Sequence, residues 1–209
     1  MVEEVTNDLA EVIKELEKEC VAHPGSVFAH HHLGLAYRQA GRMADAVREL
    51  EKATEIDPYS IEGLINLGSV YFDAGQLEKA LKVNRTAVSI MPAAAQAHAN
   101  IGLIQQHMGN IKEAIAAYNE ALKHDAKMAT AWVNLTSVLT MAGENEKALK
   151  AAKCSVELDD AFAMAHNNLA VAYYLNDEPE AAGRHAKRAM ELGYEVDPRF
   201  LKELEEYLT

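Results

Sequence analysis

Nine histidines, two cysteines and a row of evenly spaced asparagines are the residues of this chain with chemistry to offer. His30, His31 and His32 are consecutive, so on a helix they fan over about 200° and do not converge on one ion. No cysteine or carboxylate at helical ligand spacing completes a site with them, so neither a metal nor another cofactor is expected. Cys20 and Cys154 lie far apart, in no metal spacing, and read as reduced thiols. There is no Gly-rich phosphate loop, no nucleophile elbow and no His-Glu metal helix, and the expectation is a protein without catalysis. What remains is a carboxamide series. Asn66, Asn100, Asn134 and Asn168 recur every 34 residues, with His32 one interval before Asn66. A carboxamide is both donor and acceptor, so a ladder of them can pair with peptide N–H and C=O groups whatever the ligand's sequence.

The elements that must space these residues follow the same interval. Pro24, Pro58 and Pro92 keep it, as do Gly34, Gly68 and Gly102, then Gly41, Gly75, Gly109 and Gly143, and finally Ala46, Ala80, Ala114, Ala148 and Ala182. Several independent ladders with one period mark an internal repeat. With units of 34 positions opening at Val27, Ile61, Ala95, Ala129 and Ala163, positions 2 to 14 and 17 to 30 each read as an amphipathic helix. Glycine at position 15 suits a left-handed helix end, and proline at position 32 cannot continue the second helix. Small residues at positions 8, 20 and 27 let the two helices approach closely. Each hairpin is too small to bury its own apolar faces, so consecutive hairpins must stack. The predicted fold class is all-α, a right-handed α-solenoid (superhelix) of stacked antiparallel helix hairpins.

Leu33, Gly34, Tyr37, Ala46, Ala53 and Pro58 in the first unit, and Leu67, Gly68, Tyr71, Ala80, Ala87 and Pro92 in the second, resemble the tetratricopeptide repeat family. Trp132, Leu135 and Tyr118 add aromatic and leucine positions of that pattern. Departures grow toward the C-terminus: position 8 becomes Thr136 and Ala170, position 32 becomes Ala126, Asp160 and Tyr194, and Asp177 replaces the glycine at position 15. These changes predict a different angle between the last repeats. The resemblance implies that the first helix of each hairpin lines a concave groove, with positions 2, 5, 6, 9, 12 and 13 facing it. It places His32, Asn66, Asn100, Asn134 and Asn168 in that groove beside Ile65, Ser69, Phe72, Leu103, Gln106, His107, Val133, Ser137 and Tyr174. Members that clamp a carboxylate terminus need several groove cations; only Arg38 occurs at position 12, so that activity is not carried over. The groove suits a protein or peptide segment, extended or helical, with apolar anchors. His30, His98 and His166 fall on the aromatic position 4, where packing is the expected role.

The organisation expected is an N-terminal half-repeat helix in residues 1–26, five repeats (27–60, 61–94, 95–128, 129–162 and 163–194) and a capping helix in 197–209. Leu9, Val12, Ile13 and Leu16 make one apolar stripe on the first helix, and Phe200, Leu201, Leu204 and Leu208 one on the last. The 209 residues are 49% apolar and carry a formal charge of −12, which argues against nucleic acid as the partner. No run of about 18 apolar residues is present, so no membrane insertion is expected. The acidic start lacks a basic and then apolar leader, and a cytoplasmic location is expected. Two functions fit. The first is an interaction scaffold that binds a partner's segment in the groove. The alternative is a self-assembling scaffold, a homo-oligomer formed through the N-terminal helix at an organelle or membrane-associated complex.

Overall fold

The computed structural model describes residues 2–208, with side chains from Leu9 onward. Among these residues the order is α1 (Val2–Ala22), α2 (Val27–Gln39), α3 (Met43–Ile56), α4 (Ile61–Asp73), α5 (Leu77–Ile90), α6 (Ala95–His107), α7 (Ile111–His124), α8 (Ala129–Met141), α9 (Asn145–Leu158), α10 (Ala163–Tyr174), α11 (Pro179–Glu191) and α12 (Pro198–Glu203). A 3₁₀ turn, Glu205–Tyr207, follows. The chain forms two compact units, Met1–Ile104 and Gln105–Thr209, with the boundary inside α6. Each is an all-α stack of antiparallel hairpins, the α-solenoid class expected from the repeat.

In the first unit Ser26 and Ser60 cap α2 and α4, accepting from the backbone N–H of Ala29 at 3.2 Å and of Gly63 at 3.1 Å. The α2–α3 turn reverses at Gly41, whose φ of +73° is left-handed. In the second unit Asp177 takes the same role at φ +59°, and Pro179 then opens α11.

α1 packs as a half-repeat. Tyr37 of α2 donates its hydroxyl to Glu17 Oε1 of α1 at 2.6 Å, and Arg42 lies over the Tyr37 ring at 4.2 Å. One repeat later Tyr71 of α4 donates to Glu51 of α3, with Lys79 5.1 Å over the ring. Glu17 and Glu51 are one repeat interval apart, so α1 meets α2 as α3 meets α4.

A ring N–H pins the first helix of four repeats to the turn before it. Trp132 donates Nε1–H to the Ala126 carbonyl at 2.9 Å. His30, His98 and His166 place Nε2 on the carbonyls of Pro24, Pro92 and Asp160 at 3.2, 2.9 and 3.0 Å. A carbonyl only accepts, so each of these histidines carries its proton on Nε2. The position is therefore a hydrogen-bonding anchor as well as a packing residue.

Hairpin spacing rests on a size exchange between positions 8 and 24. Gly34 backs onto Leu50, and Gly68 onto Asn84; a Cβ on either glycine would intrude on those side chains. In the second unit the buried Thr136 and Ala170 occupy position 8, and the fully buried Ala152 and Ala186 occupy position 24. Where position 8 gains a side chain, position 24 shrinks to alanine, as close packing demands.

The C-terminal helix is shorter than expected. α12 ends at Glu203, and the Leu204 N–H is shared between the carbonyls of Phe200 and Leu201, both at 3.2 Å. The chain tightens there so that Leu204 is fully buried against Ala170, Ala182 and Ala186. The Tyr207 carbonyl then rests on Gly183, where a Cβ would collide with it.

Candidate functional site

The first unit gathers its candidate residues where α2, α4 and α6 present their first-helix faces side by side. Arg38, Gly68, Ser69, Phe72, Asp73, Asn100, Leu103 and Ile104 line a cavity of ≈ 250 Å³. Phe72 and Leu103 give it apolar walls, and Ser69 and Asn100 give it polar handles. At its rim Arg38 bonds Asp73 at 2.7 Å, so the groove cation is neutralised by a carboxylate of the next repeat. Both side chains are about a third exposed, and solvent leaves such a pair worth less than about 1 kcal/mol.

The carboxamides of this unit are tied to neighbouring repeats. Asn66 donates Nδ2–H to His31 Nε2 at 2.9 Å. That bond needs a bare Nε2, and burial of His31 holds its pKa below the ordinary histidine value, so the ring accepts as the neutral form. Asn100 donates to Asn84 Oδ1 at 3.2 Å and to Ser69 Oγ at 3.5 Å, and accepts from Gln96 at 2.9 Å. Asn84 was not legible as a site residue, yet it is fully buried and also donates to the Ala80 carbonyl at 2.9 Å. Its signal is a polar side chain at position 24, where the family carries an aromatic. Gly68 makes room for it. Ile65 packs partly buried against Leu64 and Ala87, and the Ser69 hydroxyl donates to the Ile65 carbonyl at 3.1 Å. His32 stands apart: it is exposed, bonds the Phe28 carbonyl at 2.9 Å within its own helix and lies 3.9 Å from the Phe28 ring.

In the second unit Asn168 donates to the Val133 carbonyl of the preceding repeat at 3.2 Å. Val133 itself is only 2% exposed, so its side chain belongs to the core and lines no accessible wall. Asn134 bonds the hydroxyl of the fully buried Tyr118, which also donates to Gln106 at 3.2 Å; burial pushes the Tyr118 pKa up. Ser137 and Gln106 are half-buried and His107 is exposed. Tyr174 donates to Glu203 at 3.3 Å and meets Phe200 edge-on at 5.5 Å, so the C-terminal helix covers part of its face. Asn167 and Val171 likewise share a depression with residues 194–200. The last repeat's inner face is thus walled by the chain's own C-terminal segment.

The sequence profile of the tetratricopeptide repeat matches residues 59–127, 100–161 and 163–188, and a TPR repeat profile matches 34–75. No curated protein sequence matches the chain. Among solved structures, a crystal structure of MamA is similar at 26% identity and a TM-score of 0.68, over 77% of this chain and 94% of that one. PilF of Pseudomonas aeruginosa is similar at 23% identity and a TM-score of 0.76, over 86% of this chain and 85% of that one. YrrB, described as a TPR protein with an unusual peptide-binding site, is similar at 16% identity and a TM-score of 0.68, over 91% and 97% of the two chains.

Proposed function

The chain belongs to the tetratricopeptide repeat family, whose members serve as protein-interaction scaffolds, and we propose that this one binds a peptide segment of a partner protein without catalysing a reaction. The ligand is an extended or helical segment with apolar side chains that seat between Phe72 and Leu103. The observation that carries this reading is the cavity of the first unit, where two apolar walls flank the carboxamide and hydroxyl of Asn100 and Ser69. Neutralisation of Arg38 by Asp73 supports an uncharged segment over a terminal carboxylate. A carboxamide has two N–H donors and an oxygen, so Asn66, after its bond to His31, keeps groups for a ligand backbone. Asn134, Asn168, Ser137, Gln106 and His107 form the corresponding set of the second unit in this proposal. Among the described residues no helix is long and apolar enough to cross a membrane.

The test is selection from a peptide library displayed on phage, followed by titration of the best peptide against Phe72→Ala and Asn66→Ala proteins. Micromolar binding corresponds to roughly 8 kcal/mol. Loss of the apolar wall is expected to weaken it at least tenfold, and loss of the carboxamide about three- to tenfold. Selected peptides without apolar residues, or unchanged affinity in the Phe72→Ala protein, would refute the proposal.

A second reading, self-assembly, draws on α1. Val12 and Val21 are 46% and 84% exposed on that helix, and Phe28 just after it is 66% exposed. Light scattering decides it, since a single-chain mass across a wide concentration range defeats assembly.

A further inference from the structure

We propose that Cys20, His30 and Glu49 form a binding site for a divalent transition ion of the zinc type, which fastens the N-terminal helix to the first hairpin. The three residues come from α1, α2 and α3, and their Sγ, imidazole nitrogen and carboxylate oxygen lie within 4.8 Å of one another. Cys20 and His30 are buried, and the Glu49 side chain is 13% exposed. A tetrahedral ion with bonds of about 2.0–2.3 Å holds its ligand atoms about 3.3–3.8 Å apart. His30 Nδ1 and Glu49 Oε2 are 2.8 Å apart and must open slightly, while the widest gap must close by about 1 Å.

The tautomer of His30 is what points to a cation. Its Nε2–H is committed to the Pro24 carbonyl, as the Trp132 indole N–H is committed to Ala126. Nδ1 faces the Glu49 carboxylate at 2.8 Å inside a buried site, a contact that needs a proton or another cation between the two atoms. Two bare acceptors at that separation repel, and a positive centre between them turns the contact attractive. A proton would answer that need alone. The Cys20 sulfur beside the pair makes the set imidazole, thiol and carboxylate; the thiol gives up its proton on binding zinc or its neighbours, and such a set does not suit calcium or magnesium. The supports around the ligands also fit: the Pro24 carbonyl orients His30, and Arg48 Nε donates to Glu49 Oε1 at 3.1 Å. Because α1 supplies one ligand of three, occupancy of the site governs how firmly that helix is held.

The experiment uses the full chain, stripped of metal and titrated with zinc against a chromophoric chelator, and in parallel with cobalt(II). One ion per chain and a thiolate-to-cobalt charge-transfer band are expected. Cys20→Ser should abolish the band and weaken zinc at least about 100-fold with unchanged helicity, while Cys154→Ser retains both. Glu49→Gln serves as a second variant that keeps the packing volume, and it should also weaken zinc. The proposal is overturned if wild-type protein gives no charge-transfer band, since the centre is then a proton only. It is equally overturned if Cys20→Ser binds zinc as wild type does, since the ion then sits elsewhere.

Discussion

Acidification should loosen the second unit through a single histidine pair. His166 carries its proton on Nε2, toward the Asp160 carbonyl, so its bare Nδ1 accepts from the Nδ1–H of His185 at 3.0 Å. The two imidazole rings are nearly parallel with centroids 5.2 Å apart, and the Tyr173 ring is nearly parallel to His185 at 5.5 Å. Burial, followed by the nearness of His166 and then Arg184, lowers the His185 pKa to about 4, against a smaller opposing pull from Asp160. The unfolded chain, with an ordinary histidine value near 6.5, therefore binds the proton more tightly than the folded one. The stability held by neutral His185 is complete above about pH 6.5 and is lost as pH falls through about pH 4. Between about pH 7 and pH 4.5 this one group removes about 2–3 kcal/mol.

His185→Ala is the informative variant, because Ala117 and Ala151 occupy the matching position in two other repeats. It should be less stable than wild type by about 1 kcal/mol near neutrality, through the lost hydrogen bond. Near pH 4.5 the order should reverse, with the variant ahead by about 1–2 kcal/mol. The assay is urea unfolding read by intrinsic fluorescence, since Trp132, the chain's one tryptophan, lies in the same unit. Parallel stability curves for wild type and variant from about pH 7 to pH 4.5 would refute the reasoning.

Two further outcomes follow from particular contacts. Gly183→Ala places a methyl group against the Tyr207 carbonyl and should lower stability by about 1–3 kcal/mol, measured as a fall in thermal midpoint; an unchanged midpoint would show that the 3₁₀ turn yields freely. Tyr37→Phe combined with Glu17→Gln in a double-mutant cycle should give a coupling of about 1 kcal/mol, because the carboxylate is 45% exposed while burial and that bond push the Tyr37 pKa up to about 12. Additive effects in urea unfolding would mean that α1 is not held by this bond.

The 34-residue period was enough to place every hairpin helix, since glycine, proline and small residues constrain the backbone locally wherever they fall. The size exchange at positions 8 and 24 was present in the same letters. It acquires meaning only when Gly68 is seen to admit Asn84 and Ala170 to lie with Ala186. The carboxamide ladder was legible as a register of residues but not as a set of bonds. Asn66, Asn100 and Asn168 each reach back to the preceding first helix, at His31, Ser69 and the Val133 carbonyl respectively. Val133 misled for a related reason, because helical position alone does not say how deeply a side chain is covered by its neighbours. The end of α12 misled as well: the apolar stripe ran on through Leu208, while the burial of Leu204 tightened the chain four residues earlier.

The amino-acid order by itself determined the hairpins, their spacing and which residues share a register, because those depend on backbone freedom and periodicity within a few turns. The surroundings of His30 were decided only by the tertiary structure. The sequence offers no ligand near it, yet Cys20 and Glu49 arrive from two other helices as their apolar faces pack together. Electrostatic need between groups brought close in this way is set by distance and burial, and neither quantity exists until the helices have stacked.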